Sequence, residues 1–230
     1  MSTVTQKLQP ESAIWDDERG VIRDVSWGFY DRLSNAIETG SIRMAYDGKD
    51  IEIMTLGPLH EGISGLLKQF VDLVIDGLAI DCVALGGTTW KRPEAHRGIE
   101  SDQCYIFDPE RINICRAALR RRSNDVADYP NPEMAVEIDI SEPLIDRPGI
   151  YAMLNVFEVW RFQGDGGITI EGLAPDGKYT PAESSRFLAV RPGEVQHWLE
   201  IGNDMERREW RRQLKEWVAR EVRPRLEARS

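Results

Sequence analysis

Between Trp27 and Ile37 the large apolar residues Trp27, Phe29, Tyr30, Leu33 and Ile37 recur at helical spacing, with Ser26 as a side-chain cap before them and Gly40 as a stop after them. The period then changes. Ile42 to Tyr46 and Ile51 to Met54 alternate on either side of Asp47-Gly48-Lys49-Asp50, the pattern of a β-hairpin. Helical spacing returns over Glu61 to Ile80, where Ile63, Leu66, Leu67, Phe70, Val71 and Val74 define one face of a long amphipathic helix entered through Pro58 and His60. Cys82 to Leu85 reads as a strand, broken at Gly86-Gly87 and resumed over Thr88 to Arg92. Further strands are expected at Gln103 to Phe107, Met134 to Ile140 and Phe157 to Phe162, with a helix through Tyr151, Met153 and Leu154 that admits Pro148 in its first turn. After a turn at Gly164 to Gly167, Ile168 to Leu173 and Tyr179-Thr180 form a second hairpin around Pro175-Asp176-Gly177. Glu206 to Leu226 closes the chain as a helix with Trp210, Leu214, Trp217 and Val218 on one stripe, a face for the domain or for a partner subunit.

Strands interleaved with one long helix and flanked by hairpins indicate an α/β or α+β sandwich rather than a regular doubly wound fold. The segment up to Asp24 has no clear period and is expected to be an arm. At 230 residues the chain suits one domain, here residues 25–204, with an arm over 1–24 and a basic amphipathic helix over 205–230 packed on the same domain. No apolar run approaches a bilayer span and Met1 to Gln9 lacks the layout of a signal peptide, so a soluble, cytoplasmic protein is expected. Cys82, Cys104 and Cys115 are unevenly spaced and read as buried thiols.

The formal charge of −10 argues against a protein that coats a polyanion. Its distribution changes that picture: Met205 to Ser230 holds nine Lys/Arg and five Asp/Glu, a net of +4 against about −14 for the rest. An acidic body with a local basic strip suits an enzyme that meets nucleic acid transiently. No Gly-rich phosphate loop is present, and His60-Glu61 is no zinc-protease motif, because Ser64 stands where the second histidine is needed.

The chemistry is concentrated in two apolar runs that carry acids. Gly98-Ile99-Glu100-Ser101-Asp102, continued by Cys104 to Phe107, and Ala135-Val136-Glu137-Ile138-Asp139 place carboxylates where buried strands normally have none. A desolvated carboxylate needs a cation or a hydrogen-bond network. A divalent metal meets that need, and the basic cluster Arg116, Arg120, Arg121 and Arg122 between the runs can track a nucleic-acid backbone or be a solvated loop. Asp139 shares the face of Glu137, as a third ligand or as a partner of Arg147 or Arg161. Glu100 is better read as half of an ion pair.

Taken in order, Pro58 to Glu61, Gly86-Gly87-Thr88-Thr89, Gly98 to Tyr105, Val136-Glu137-Ile138-Asp139-Ile140, and Asp146-Arg147 before Tyr151 with Val156 to Arg161 resemble the Uma family of restriction-endonuclease-type proteins, a branch of the PD-(D/E)XK nuclease superfamily. The resemblance runs from about Trp27 to Phe187. It implies a restriction-endonuclease-like mixed central sheet flanked by helices, with the site at its bent strands. Asp102 would bridge the metal, Glu137 would be the second acid and Glu61 would complete the set. The implied activity is Mg²⁺-dependent hydrolysis of phosphodiester bonds in nucleic acid, DNA above all, with Mn²⁺ as a substitute; scission of two strands would favour a homodimer.

Three positions depart from the family pattern, the mildest being Ser101 in place of the proline that usually precedes the aspartate. The lysine expected two residues after the second acid is Asp139, and the alternative lysine place one turn before Tyr151 is Arg147. Arginine holds phosphate but cannot serve as a general base. Water activation then falls to the metal alone or to a lysine such as Lys91. The competing expectations are a noncatalytic nuclease-fold module that binds nucleic acid or protein, and an interaction protein using the tryptophan-bearing terminal helix.

Overall fold

The computed structural model describes residues 18–37 and 42–229, so the stop at Gly40 and most of the N-terminal arm lie outside the described residues. The chain runs β1 (Glu18–Ile22), α1 (Trp27–Ala36), β2 (Ile42–Tyr46), β3 (Ile51–Thr55), α2 (Pro58–Leu78), β4 (Val83–Ala84), β5 (Thr89–Arg92), β6 (Arg97–Glu100) and β7 (Gln103–Ile106). It continues through α3 (Pro109–Arg120), β8 (Met134–Asp139), α4 (Arg147–Met153), β9 (Glu158–Gln163), β10 (Ile168–Leu173), β11 (Tyr179–Pro181), α5 (Pro192–Asp204) and α6 (Arg207–Trp217). A π-helical turn at Val218–Val222 then leads to α7 (Arg223–Glu227), where Pro224 has no N–H to continue the α pattern.

Two sheets form. One is five-stranded in the order β1-β3-β2-β6-β5, the other six-stranded in the order β11-β10-β9-β8-β7-β4. All neighbours pair antiparallel except β8 and β9, which run parallel and are joined through α4. The architecture is therefore mixed α/β. The last part of the expected arm is a strand: Arg19 to Ile22 pair with Met54 to Ile51.

The six-stranded sheet separates two unlike layers. Val136, Ile138, Trp160, Ile168 and Ile170 face α2, α5 and α6, where Leu67, Phe70, Val74, Trp198, Trp210 and Leu214 close an apolar core. Burying each such Leu, Ile or Phe contributes roughly 1.5–3 kcal/mol. The tryptophan stripe of the terminal helix is spent inside this core: Trp210 is fully buried and donates its indole N–H to the Trp198 carbonyl at 2.8 Å. Close helix packing explains Gly77, where a Cβ would lie 2.6 Å from Val218 Cγ1.

On the opposite face Cys104, Ala135 and Val159 meet Ala45, Trp90 and Ile99 of the five-stranded sheet and Ile150 and Tyr151 of α4. α3 covers the β4–β7 edge through Ile112 and Cys115, and α1 lies on the five-stranded sheet through Tyr30. Glu100 to Tyr105 is not one continuous strand. β6 belongs to the first sheet and β7 to the second, and Ser101-Asp102 is the crossing between them.

α3 and α5 answer to no element expected from periodicity. Each opens with proline in its first turn, and Asp108 caps α3 by accepting from the backbone N–H of Glu110 and Arg111 at 3.0 Å.

Candidate functional site

All six residues of β8 are buried. Strand alternation sends Val136 and Ile138 into the helical core and turns Glu137 and Asp139 toward the layer formed by α4 and the five-stranded sheet. Asp102 reaches the same layer from the sheet crossing. In the β7–β8 register Gln103 stands opposite Val136, so Asp102 comes level with Glu137. Asp102 Oδ2 accepts the Ile138 backbone N–H at 2.8 Å, taking the place of a ladder carbonyl where the strand has left the sheet. The two acids of the sequence motif are thus brought together at 5 % and 0 % exposure.

α4 supplies the counter-charge. Asp146 caps it by accepting the Gly149 N–H at 2.9 Å. Arg147 and Tyr151 are one turn apart, so both point from one helix face at Glu137. Arg147 Nη2 donates to Glu137 Oε2 at 2.5 Å and the Tyr151 hydroxyl donates to Oε1. Arg147 Nη1 also donates to Asp139 Oδ1 at 3.2 Å. Asp139 further accepts from Arg19 at 2.9 Å and from Arg161 at 3.4 Å, making it the hub of three guanidinium groups. Glu52 of β3 accepts from Arg19 at 3.0 Å and from the Leu144 N–H at 2.5 Å.

Burial, with the Asp102 and Asp139 carboxylates, raises Glu137 to about 8 against the opposing pull of Arg147. Burial lowers Arg147, but Glu137, Asp139, Glu52 and Asp102 outweigh that and hold the guanidinium above its ordinary value. Arg147 is therefore a permanent cation shared among several acids. Asp102 has the buried His60 Nε2 3.2 Å from its Oδ1 and Arg43 Nε 4.0 Å away, while Arg43 is committed at 2.8 Å to Glu100. The Asp102–Glu137 pair is thus surrounded by donors, Arg147 and Tyr151 on Glu137 and the Ile138 N–H and His60 beside Asp102.

The remaining sequence candidates are dispersed. Glu61 is in the first turn of α2 with its side chain 62 % exposed, and His60 stands between it and Asp102. Lys91 is turned away from the acids: its ammonium contacts Asp31 at 3.0 Å, Asn35 at 2.5 Å and Ser34 at 3.2 Å on α1. Arg116 is bidentate to Asp81 at 2.6 and 3.0 Å, and Arg121 pairs with Asp128 at 3.4 Å. Arg120 and Arg122 are exposed at the end of α3. Among the described residues, no hydrogen bond or ion pair joins these four arginines to Asp102 or Glu137. Sequence reasoning missed Arg19 and Glu52. Arg19 lay in a segment without period, and Glu52 alternates with Ile51 and Ile53 as a wet-face residue would.

Solvent approaches this layer through a cleft of about 590 Å³ lined by Asp139, Arg161, Glu171, Pro148 and Gln163. Arg161 is 7 % exposed and bonds Glu171 at 3.0 Å. Among the described residues no three His, Cys, Asp or Glu side chains form a metal-ligating group. Mg²⁺ is commonly held by one or two carboxylates, with waters and substrate phosphate completing its shell. The carboxyl oxygens of Asp102 and Glu137 are ligands of the hard type such an ion takes, and at Glu137 an ion would compete with Arg147 and Tyr151.

No family model matches this chain, and no curated protein matches it. Among the described residues no helix is long and apolar enough to cross a membrane.

Proposed function

We propose that this chain is a cytoplasmic, metal-dependent endonuclease hydrolysing phosphodiester bonds in nucleic acid, DNA above all, with the restriction-endonuclease-like organisation that its motifs resemble. One observation carries the reading: Asp102, at the crossing between sheets, is fastened to the β8 backbone level with Glu137, so two carboxyl groups meet in one buried layer. Mg²⁺ or Mn²⁺, when bound by these two carboxylates, supplies a water of lowered pKa and offsets charge on the reacting phosphate. Tyr151 and Arg147 orient Glu137, His60 supports Asp102, and Asp139 holds three arginines in place. Arg147 stabilises negative charge and takes no part as a base. Glu61, exposed next to His60, would be the third acid that the resemblance implies. A homodimer would present two such sites to the two strands of a duplex.

The test is cleavage of supercoiled plasmid, single-stranded DNA and RNA with Mg²⁺ or Mn²⁺, beside Asp102→Ala and a chelator. Metal-dependent cutting that disappears in Asp102→Ala supports the reading. Cutting that survives the substitution rejects this site.

One observation favours a second reading, a noncatalytic nucleic-acid or protein-binding module. Arg147 donates to both Glu137 and Asp139, so a guanidinium already stands among the acids. Arg147→Lys separates the two readings. Gained or faster cleavage identifies a weakened nuclease, and no cleavage with intact nucleic-acid binding identifies the module.

A further inference from the structure

The terminal helices carry a feature that the acid site does not use. In a chain of net charge −10, α6 presents Arg207, Arg208, Arg211 and Lys215, all exposed. At 3.6 residues per turn these four occupy an arc of roughly 100°, and Arg208 to Lys215 spans about 10 Å along the axis. Their neighbour Arg212 is neutralised by Glu209 at 2.5 Å and Glu216 at 2.6 Å. Among the described residues, Arg208, Arg211 and Lys215 have no carboxylate partner. Unpaired cations in a row on an acidic protein are an anion-facing surface.

Arg207 joins this strip to a second feature. Its guanidinium lies over the Trp210 ring, 5.3 Å from the centroid, and it also lines a cleft of about 570 Å³ between α2, α5 and the β9–β10 turn. The cleft walls include Leu59, Ile63, Phe162 and Leu199. Leu59 is 46 % exposed at the opening, so the apolar surface is open to solvent. Glu200 and Asn203 sit at the polar side of the same cleft. A carboxylate there disfavours phosphate and can accept hydrogen bonds from base amino groups, while Asn203 can both donate and accept. Leu59 precedes His60, whose buried ring lies 3.2 Å from Asp102.

We propose that the α6 strip and this cleft form a single-strand track, with phosphates on Arg208, Arg211 and Lys215 and an unstacked base in the cleft against Phe162. The inference rests on the nucleic-acid reading above and names its substrate as single-stranded or locally unpaired nucleic acid. A base inside a duplex is stacked and paired, so only an unpaired strand can use both features. The strip alone would favour any polyanion. The apolar cleft beside it is what selects the single strand.

The experiment is fluorescence anisotropy of labelled dT20 and of a 20-base-pair duplex across a salt series. It compares the full chain with Arg208→Glu/Arg211→Glu/Lys215→Glu, with the milder triple glutamine variant, with Leu59→Asn and with Asp102→Ala, each checked by thermal unfolding. Single strands lose affinity with a log–log salt slope of about −0.7 per neutralised phosphate. The triple variants should therefore flatten the slope by about 2, and charge reversal should weaken dT20 binding at least tenfold at low salt. Leu59→Asn should narrow the preference for dT20 over duplex, and Asp102→Ala, compared without metal, separates the track's contribution from that of the acid site.

Equal affinity of dT20 for the charge-reversed and unaltered chains overturns the track. So does duplex binding as tight as dT20 binding. Loss of self-association at low salt in the triple variants, with dT20 binding unchanged, would assign the strip instead to the acidic body of a second copy. The two proposals fail separately. Binding with the expected slope but no cleavage rejects the endonuclease and keeps the track, whereas cleavage unaltered by charge reversal rejects the track and keeps the endonuclease.

Discussion

The two faces of the six-stranded sheet solve opposite problems with the same strand. On one side Val136 and Ile138 enter a core of aliphatic and aromatic side chains contributed by α2, α5 and α6. On the other, Glu137 and Asp139 enter a layer equally buried and full of charge. The apolar face is held by non-directional packing that tolerates changes of partner. The charged face depends on each hydrogen bond, because an orphaned buried charge costs far more than a missing contact. A protein that needed stability alone would be served by hydrophobic residues at 137 and 139. Acids at both positions are a reason to seek chemistry there.

Truncating each face at one residue should cost a similar amount and differ in its rescue. Phe70→Ala opens a cavity in the helical core and is expected to destabilise by about 3–5 kcal/mol. Arg147→Ala leaves Glu137 and Asp139 without their shared cation and is also expected to cost about 3–5 kcal/mol. Adding Glu137→Gln should recover part of the Arg147 loss, because it removes the uncompensated charge, and should recover nothing in Phe70→Ala. Urea unfolding of the two double mutants measures this. Equal, additive losses in both would mean that the charged layer behaves as ordinary packing.

A pH series probes the charged face alone. Glu137 binds its proton up to about 8 in the native state, against an ordinary value near 4.5. Between these values the folded protein holds a proton that the unfolded chain has released, so stability must fall as pH rises through the interval, by at most about 1.4 kcal/mol per pH unit. The contribution is complete below the ordinary value and gone above about 8. Unfolding midpoints from pH 4.5 to 8 should show the decline in the unaltered chain and a flatter curve in Glu137→Gln. A curve unaffected by that substitution would place the titrating group elsewhere.

A smaller effect is expected where the charged layer meets the turn after β9. A Cβ on Gly164 would lie 2.2 Å from the Ile140 carbonyl oxygen, directly beyond β8. Backbone cannot swing aside as a side-chain tip can. Gly164→Ala should therefore cost roughly 1–3 kcal/mol and displace the end of β8 that carries Asp139, which reduced dT20 cleavage relative to Leu59→Asn would report.

How far the molecule was legible in its sequence follows the same divide. The β2–β3 hairpin, α2 and β8 were readable because each shows one clear period, and Asp102 and Glu137 stood out because acids interrupt apolar runs. Their partners were not readable. Arg19 reaches Asp139 across 120 positions and Glu52 across 33, through strand pairing that no local pattern encodes. The break at Ser101-Asp102 was hidden because residues on both sides are apolar in two different sheets. α5 could have been found from Pro192 followed by Val195, Trp198 and Leu199, a first-turn proline with helical spacing. The arginines at the end of α3 obscured the Asp108-Pro109 start signal in the same way, since charge drew attention from capping.

Lys91 provides the mildest test, and the one that separates proximity in sequence from proximity in space. It follows Trp90 on β5 and is the lysine offered in place of those missing at 139 and 147. The strand sends its ammonium to α1 instead, where Asp31, Ser34 and Asn35 hold it. Its side chain is only 17 % exposed but Asp31 is 43 % exposed, so solvent screens the pair. Lys91→Met keeps the aliphatic stem over α1 and removes the charge. It should cost about 0.2–1 kcal/mol, leave the pH profile of Glu137 unchanged, and leave metal-dependent cleavage at the unaltered rate. A fall in cleavage comparable to that of Asp102→Ala, with stability nearly intact, would instead bring Lys91 into the site and require α1 to move away from β5 during the reaction.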